Sequence, residues 1–131
     1  MSDEFLPDVA TVDDAVPLAR TDGRIVTETE VERALDFLRD SAKYLGEACA
    51  RATKASNMIK HIEALEFKAS DATSNDRRQA DARTSESYVD AINEEAFAIG
   101  ELRKMYALRE AASMKIEVWR SQEATLRSVR I

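Results

Sequence analysis

The sequence predicts an all-α protein, a long antiparallel two-helix coiled-coil hairpin that assembles into a helical bundle. Three observations carry this reading. Apolar residues recur at helical spacing through two stretches of more than 40 residues each. Glycine and proline are scarce, at three and two in 131 residues, and both prolines (Pro7, Pro17) and Gly23 fall in the first 23. The 44% hydrophobic content includes only 6% aromatics and many alanines. Such a core is thin and suits close helix–helix contact better than a globular interior. A charged fraction of 34% fits helices with a large wetted surface.

Residues 1–27 read as an acidic, extended or disordered arm, with six acids, two arginines and both prolines. Gly23-Arg24-Ile25-Val26-Thr27 suggests a turn and one extended step before a helix. The first helix is expected over about 28–70. Thr27-Glu28-Thr29-Glu30 fits a capping box, in which the threonine oxygen and the Glu30 carboxylate satisfy each other's backbone N–H groups. Its acidic first turn suits the helix dipole. Apolar or small residues recur at Val31, Leu35, Leu38, Ala42, Leu45, Cys49 and Ala52, a heptad seam. Strict spacing then fails at Ser56 and Glu63, and the stripe resumes through Ala55, Ile59, Ile62, Leu65 and Ala69. This reads as a phase slip. The polar run 70–79, rich in turn and cap formers, is the expected reversal. A later boundary near Thr84-Ser85 is the alternative. The second helix, about 80–128, carries Tyr88, Ile92, Ala96, Ile99, Leu102, Met105, Leu108, Ala112, Ile116, Trp119 and Leu126. Together 28–131 form the hairpin.

Charge patterning supports antiparallel pairing. Residues 28–50 hold six acids and three bases, whereas 103–131 hold seven bases and three acids. A hairpin sets these segments side by side. Surface ion pairs add little energy, but they select orientation and register.

The net charge of −6 argues against a general nucleic-acid-coating protein, though not against a local basic patch. A single cysteine allows no intramolecular disulfide or cysteine metal cluster. The longest apolar run is too short to span a bilayer, and no leader-like n-region and h-region opens the chain. The cytoplasm is the expected location, with no membrane contact.

No residue pattern names a catalytic or metal centre, so no enzyme and no cofactor are expected. His61 has no helical partner at ligand spacing, since Met58 stands where a Glu-x-x-His pair needs a glutamate. Cys49 falls on the seam as a small hydrophobe with no histidine near it in sequence. Glu94 and Glu95 point in adjacent directions and make no shared carboxylate face. The candidate interaction residues are Trp119, Arg120, Arg127 and Arg130. A lone tryptophan on an alanine-rich seam should carry much of the local packing. Two readings stay open for this basic end: a core tryptophan beside a charge-compensated helix terminus, or a contact surface for a protein or for nucleic-acid phosphates.

Ala82-Arg83-Thr84-Ser85-Glu86-Ser87-Tyr88, the stretch to Leu102-Arg103-Lys104, and Ala111-Ala112-Ser113-Met114-Lys115-Ile116-Glu117-Val118-Trp119-Arg120-Ser121 resemble a pattern in small helical proteins of tailed phages and prophages. Ala34-Leu35-Asp36-Phe37-Leu38-Arg39-Asp40-Ser41-Ala42-Lys43 is similar to the opening of that family's long helix. The likeness covers roughly 31–128, and its most specific part is the Ile-Glu-x-Trp-Arg-Ser ending. It implies an accessory protein working beside replication and recombination genes, and supplies no catalytic residue.

The leading expectation is therefore a non-enzymatic phage or prophage accessory protein. It would act through helical protein–protein contacts with DNA recombination or replication machinery, and would self-associate, with a dimer favoured. Phe37, Tyr44, Phe67, Phe97 and Tyr106 are expected to be only partly covered in one hairpin, and pairing two hairpins would cover them. The alternatives are a virion assembly adaptor, and a DNA-mimicking inhibitor of a host DNA-binding or defence enzyme. Direct DNA binding through Arg120, Arg127 and Arg130 is a further, weaker expectation.

Overall fold

The computed structural model describes residues 23–129. Residues 1–22 of the arm read over 1–27, and Arg130, lie outside the described residues. Three helices account for about 90% of what is described, with no strand among those residues: α1 (Glu28–Ala69), α2 (Asn75–Thr84) and α3 (Glu86–Val129). They belong to two compact units. Unit 1 joins the chain through Leu45 to Met105 and beyond, and unit 2 is Gly46–Lys104.

The start of α1 follows from its sequence. The Glu30 N–H donates to Thr27 Oγ1 (3.2 Å) and the Thr27 N–H donates to Glu30 Oε1 (3.3 Å), which closes a capping box. Glu28 and Glu30 supply the acidic first turn, and Lys68 the basic last one.

Unit 1 packs the first part of α1 antiparallel to the last part of α3. Its core holds Ala34, Phe37, Met105 and Ala112, flanked by Leu38, Tyr44, Leu45, Leu108 and Ile116. Phe37 is 2% exposed, so it is a centre of the core and not one of the partly covered flank residues that the sequence suggested. Ser41 is fully buried. It is reached by Arg109, whose Nη1 donates to Ser41 Oγ (2.6 Å) and to the Leu38 carbonyl (2.8 Å). A guanidinium thus reaches across the helix pair and bonds neutral oxygens on the facing helix.

Unit 2 is built on Ala52, Ala55 and Ala98, with Ile99 and Leu102 packed against them. Its helices are also antiparallel. Arg51 Nη2 donates to Glu94 Oε1 (2.6 Å), Arg83 Nε to Glu63 Oε2 (2.7 Å), and Ser87 Oγ to Glu66 Oε1 (2.5 Å). Arg51 also lies over the Phe97 ring at 4.8 Å, and Arg78 over Phe67 at 5.8 Å.

Two further sequence expectations are corrected. The first is the phase slip. One row of covered or half-covered positions on α1 runs Val31, Ala34, Leu38, Ser41, Leu45, Ala48, Ala52, Ala55, Ile59, Ile62 and Glu66, at alternating intervals of three and four, with Phe37, Tyr44, Cys49, Glu63 and Phe67 covered or half-covered beside it. Leu35, placed on the seam from sequence, is 52% exposed, and Ala42 is exposed as well. The larger neighbour was mistaken for the inward one. Where helices approach closely the alternate inward sites take Ala or Ser, and Leu35 is left outside. The second correction concerns 70–79. Only 70–74 is non-helical, and Asn75–Thr84 forms α2 where a turn was expected. Ser74 caps it, accepting the Arg77 N–H at 3.2 Å, and Asp76 sits in the first turn. A helix with only Ala82 buried has no apolar stripe to reveal it.

A candidate interaction surface on the last helix

The segment before α1 is strapped onto α3 within unit 1. Gly23 has φ +71, a left-handed conformation that glycine adopts without a Cβ penalty. The chain then runs extended. The Ile25 and Val26 N–H groups both donate to Gln122 Oε1 (2.7 and 3.0 Å), and Gln122 Nε2 donates to the Val26 carbonyl (2.6 Å). One side-chain amide thereby acts as a strand-like partner for two residues. Arg24 pairs with Glu123 beside it. Val26 is buried, whereas Ile25 is 75% exposed. An open groove of about 470 Å³ lies against the strap, lined by Gly23, Ile25, Glu117, Val118, Ser121, Gln122, Thr125 and Leu126.

Trp119 stands one turn before Gln122 and Glu123, on the same side of α3. It is half-buried. Its Nε1 is buried and has no hydrogen-bond partner among the described residues, a condition shared with Glu101 Oε2. Leaving such a donor unsatisfied costs about 1–3 kcal/mol. Arg120 points away from Trp119, is exposed, and pairs with Glu117 at 3.3 Å. Arg127 is exposed in the last turn. It lies two turns beyond Arg120 on one face, so the structure sets those two arginines together but not with the tryptophan. Sequence reasoning missed Gln122 and Glu123. Their only signal was Gln-Glu on the tryptophan side of the helix, which reads as ordinary helix polarity.

The remaining candidates spread out. His61 is exposed, and Cys49 is half-buried beside the seam residue Ala48, not on the seam. Glu94 accepts from Arg51, and Glu95 Oε2 accepts from Ser56 Oγ at 2.7 Å. Among the described residues no three His, Cys, Asp or Glu side chains gather into a possible metal site. No helix there is long and apolar enough to cross a membrane. On the outer side of α1, the hydrogen bond from Arg39 Nε (2.9 Å) holds the Asp40 carboxyl below its usual range, with the charge of Arg39 adding to it. In unit 2 the bond to Glu63, and then its charge, raises the Arg83 pKa.

No protein-family model, curated protein or solved structure matches the chain.

Proposed function

We propose that the chain is a non-enzymatic accessory protein that works through helical protein–protein contacts, self-associates as a dimer, and belongs with phage or prophage DNA recombination or replication machinery. The observation that carries the contact reading is an exposed apolar row in unit 2. Val89, Ile92 and Ala96 follow one another at intervals of three and four on α3, and all are exposed. That spacing puts them on one helical face. In unit 1, Leu35 and Tyr106 are similarly half exposed. The recombination and phage elements rest on the sequence resemblance described above.

The coiled-coil hairpin is part of the same proposal. It is supported by the unbroken three–four spacing along α1 and by antiparallel pairing within each unit. In α3 the corresponding positions run Ala91, Glu95, Ala98, Leu102, Met105, Arg109, Ala112, Ile116, Trp119, Glu123 and Leu126, each at least half-covered. Heptad spacing of this kind keeps a narrow seam facing its partner.

Analytical ultracentrifugation at micromolar concentration tests self-association. The expected result is a dimer that Ile92→Lys shifts to monomer without loss of helicity. A wild-type monomer refutes the self-association element. Capture from prophage-induced cells with wild-type and Ile92→Lys baits tests the partner element. Recombination or replication proteins retained by the wild type and lost with the variant would support it, and a capture that contains none would count against it.

A further inference from the structure

We propose that the exposed face of α3 in unit 2 is covered by the same face of a second copy of this chain, with the two helices antiparallel, so that Asp90 of each copy meets Lys104 of the other. This rests on the self-association reading above and adds to it the direction and register of the pairing.

The face lies opposite the buried side of the helix. Ala98 is 1% exposed and belongs to the unit 2 core. Val89, Ile92, Ala96 and Gly100 follow at intervals of three and four on the other side, and all are exposed. Gly100 stands inside the helix, where alanine is the better helix former. A Cβ there would meet nothing within 4 Å among the described residues. With Ala96 one turn before it, the missing side chain lets another backbone approach closely.

What selects the occupant is charge. Along one edge of this face Asp90, Phe97 and Lys104 are spaced seven residues apart, about two turns, and all three are exposed. Glu86 lies one turn before Asp90, and Arg103 is next to Lys104, so one end of the face is acidic and the other basic. Among the described residues no ion pair includes any of these four charges. Such a face is complementary to itself when reversed. A two-fold axis perpendicular to the helix brings the same edge of both copies together. Set at Phe97, it places Asp90 opposite Lys104 of the second copy, because each is seven residues from the axis. Two identical ion pairs then bracket the Phe97 rings, and the apolar row is covered beside them. A parallel pair would set acid against acid and base against base. A different protein would have to supply the matching charge order, whereas a second copy already carries it.

Sedimentation equilibrium on the full chain tests the pairing with two variants, Lys104→Glu and Asp90→Lys. Each sets like charges opposite one another at both contacts, so each alone should self-associate about tenfold or more weakly than the wild type. An equimolar mixture of the two restores opposite charges at both contacts and should regain wild-type affinity. That recovery also separates a broken contact from a misfolded variant, and circular dichroism should show unchanged helicity. A wild-type dimer with either variant unweakened, or with a mixture no tighter than the variants alone, overturns the antiparallel pairing and leaves self-association standing. Tighter association of Lys104→Glu than of the wild type overturns it as well, since that is the sign of a parallel pair. A wild-type monomer at micromolar concentration removes both readings, and the face then belongs to a different partner.

Discussion

The buried bond between Arg109 and Ser41 gives the sharpest test of how unit 1 is held in register. Ser41 has no exposed surface, and its Oγ lies 2.6 Å from Arg109 Nη1. A hydrogen bond from a charged donor contributes about 1.5–3 kcal/mol. Ser41→Ala removes the acceptor and little volume, and alanine already occupies positions 34 and 48, seven residues away on either side. Arg109 keeps the Leu38 carbonyl at 2.8 Å, so the expected cost is at the low end, about 1–2 kcal/mol. Arg109→Met retains a long apolar stem but gives up both bonds. The orphaned Ser41 hydroxyl can turn to a carbonyl of its own helix one turn back, which limits the loss. About 1–3 kcal/mol is expected. Urea denaturation followed by circular dichroism measures both variants and the double variant. If the bond acts as described, the double variant costs less than the sum of the two, with a coupling of about 1–2 kcal/mol. Strictly additive costs, with coupling under about 0.3 kcal/mol, would refute the claim that this layer fixes the pairing.

Other consequences follow from burial and capping. Phe37→Ala should destabilise by about 3–5 kcal/mol because the ring is enclosed. Phe97→Ala, at a ring 47% exposed beneath Arg51, should cost about 1 kcal/mol or less, the worth of an exposed cation–π contact; a reversed order in thermal melts would contradict the assigned core. Thr27→Ala should cost about 1 kcal/mol through loss of the α1 cap, with unchanged denaturation counting against it. Asp40 should titrate below an ordinary aspartate in carbon-detected NMR, and Arg39→Ala should return it to the usual range. Because the folded value is depressed, this contribution is present above the unfolded value and fades as pH falls through the folded one. An Asp40 midpoint unmoved by Arg39→Ala would remove Arg39 as the cause.

The all-α class was legible because apolar spacing, scarce glycine and scarce proline agree over long stretches. The start of α1 was legible for a different reason: a capping box is a local motif, and Thr27 and Glu30 need nothing distant to complete it. The seam was harder. Ala34 and Leu35 are adjacent and both apolar, and hydropathy prefers the leucine, whereas close helix approach prefers the alanine. Ser41, Glu95, Arg109 and Glu123 also occupy covered or half-covered seam positions, and each reads from sequence as a solvated residue. What makes them acceptable there is a partner on another segment: Arg109 for Ser41, Ser56 for Glu95, Arg24 for Glu123. The same dependence hid the strap. Gln122 has no distinguishing local pattern, and its role exists only once Ile25 and Val26 arrive beside it. Trp119 was legible as a packing residue, but its unpartnered Nε1 was not, since that depends on what surrounds the ring.

The junction at Ser85 has a consequence for how direction is encoded in this chain. Ser85 adopts an extended backbone (φ −68, ψ 153) and its N–H returns to the Ala82 carbonyl. Its Oγ donates to Ala82 O at 2.8 Å and accepts the Tyr88 N–H at 3.2 Å. One residue therefore ends α2 and begins α3. Both neighbouring segments are helical, so this hydroxyl, which competes with the backbone for the same groups, helps to hold the break. Ser85→Ala removes the competitor and adds the strongest helix former, which biases residues 75–129 toward a single uninterrupted helix. Arg83 and Asp81 would then be turned away from Glu63 and Ser70, their present partners. The course of ten residues, and the side chains they present, is thus written in one oxygen atom.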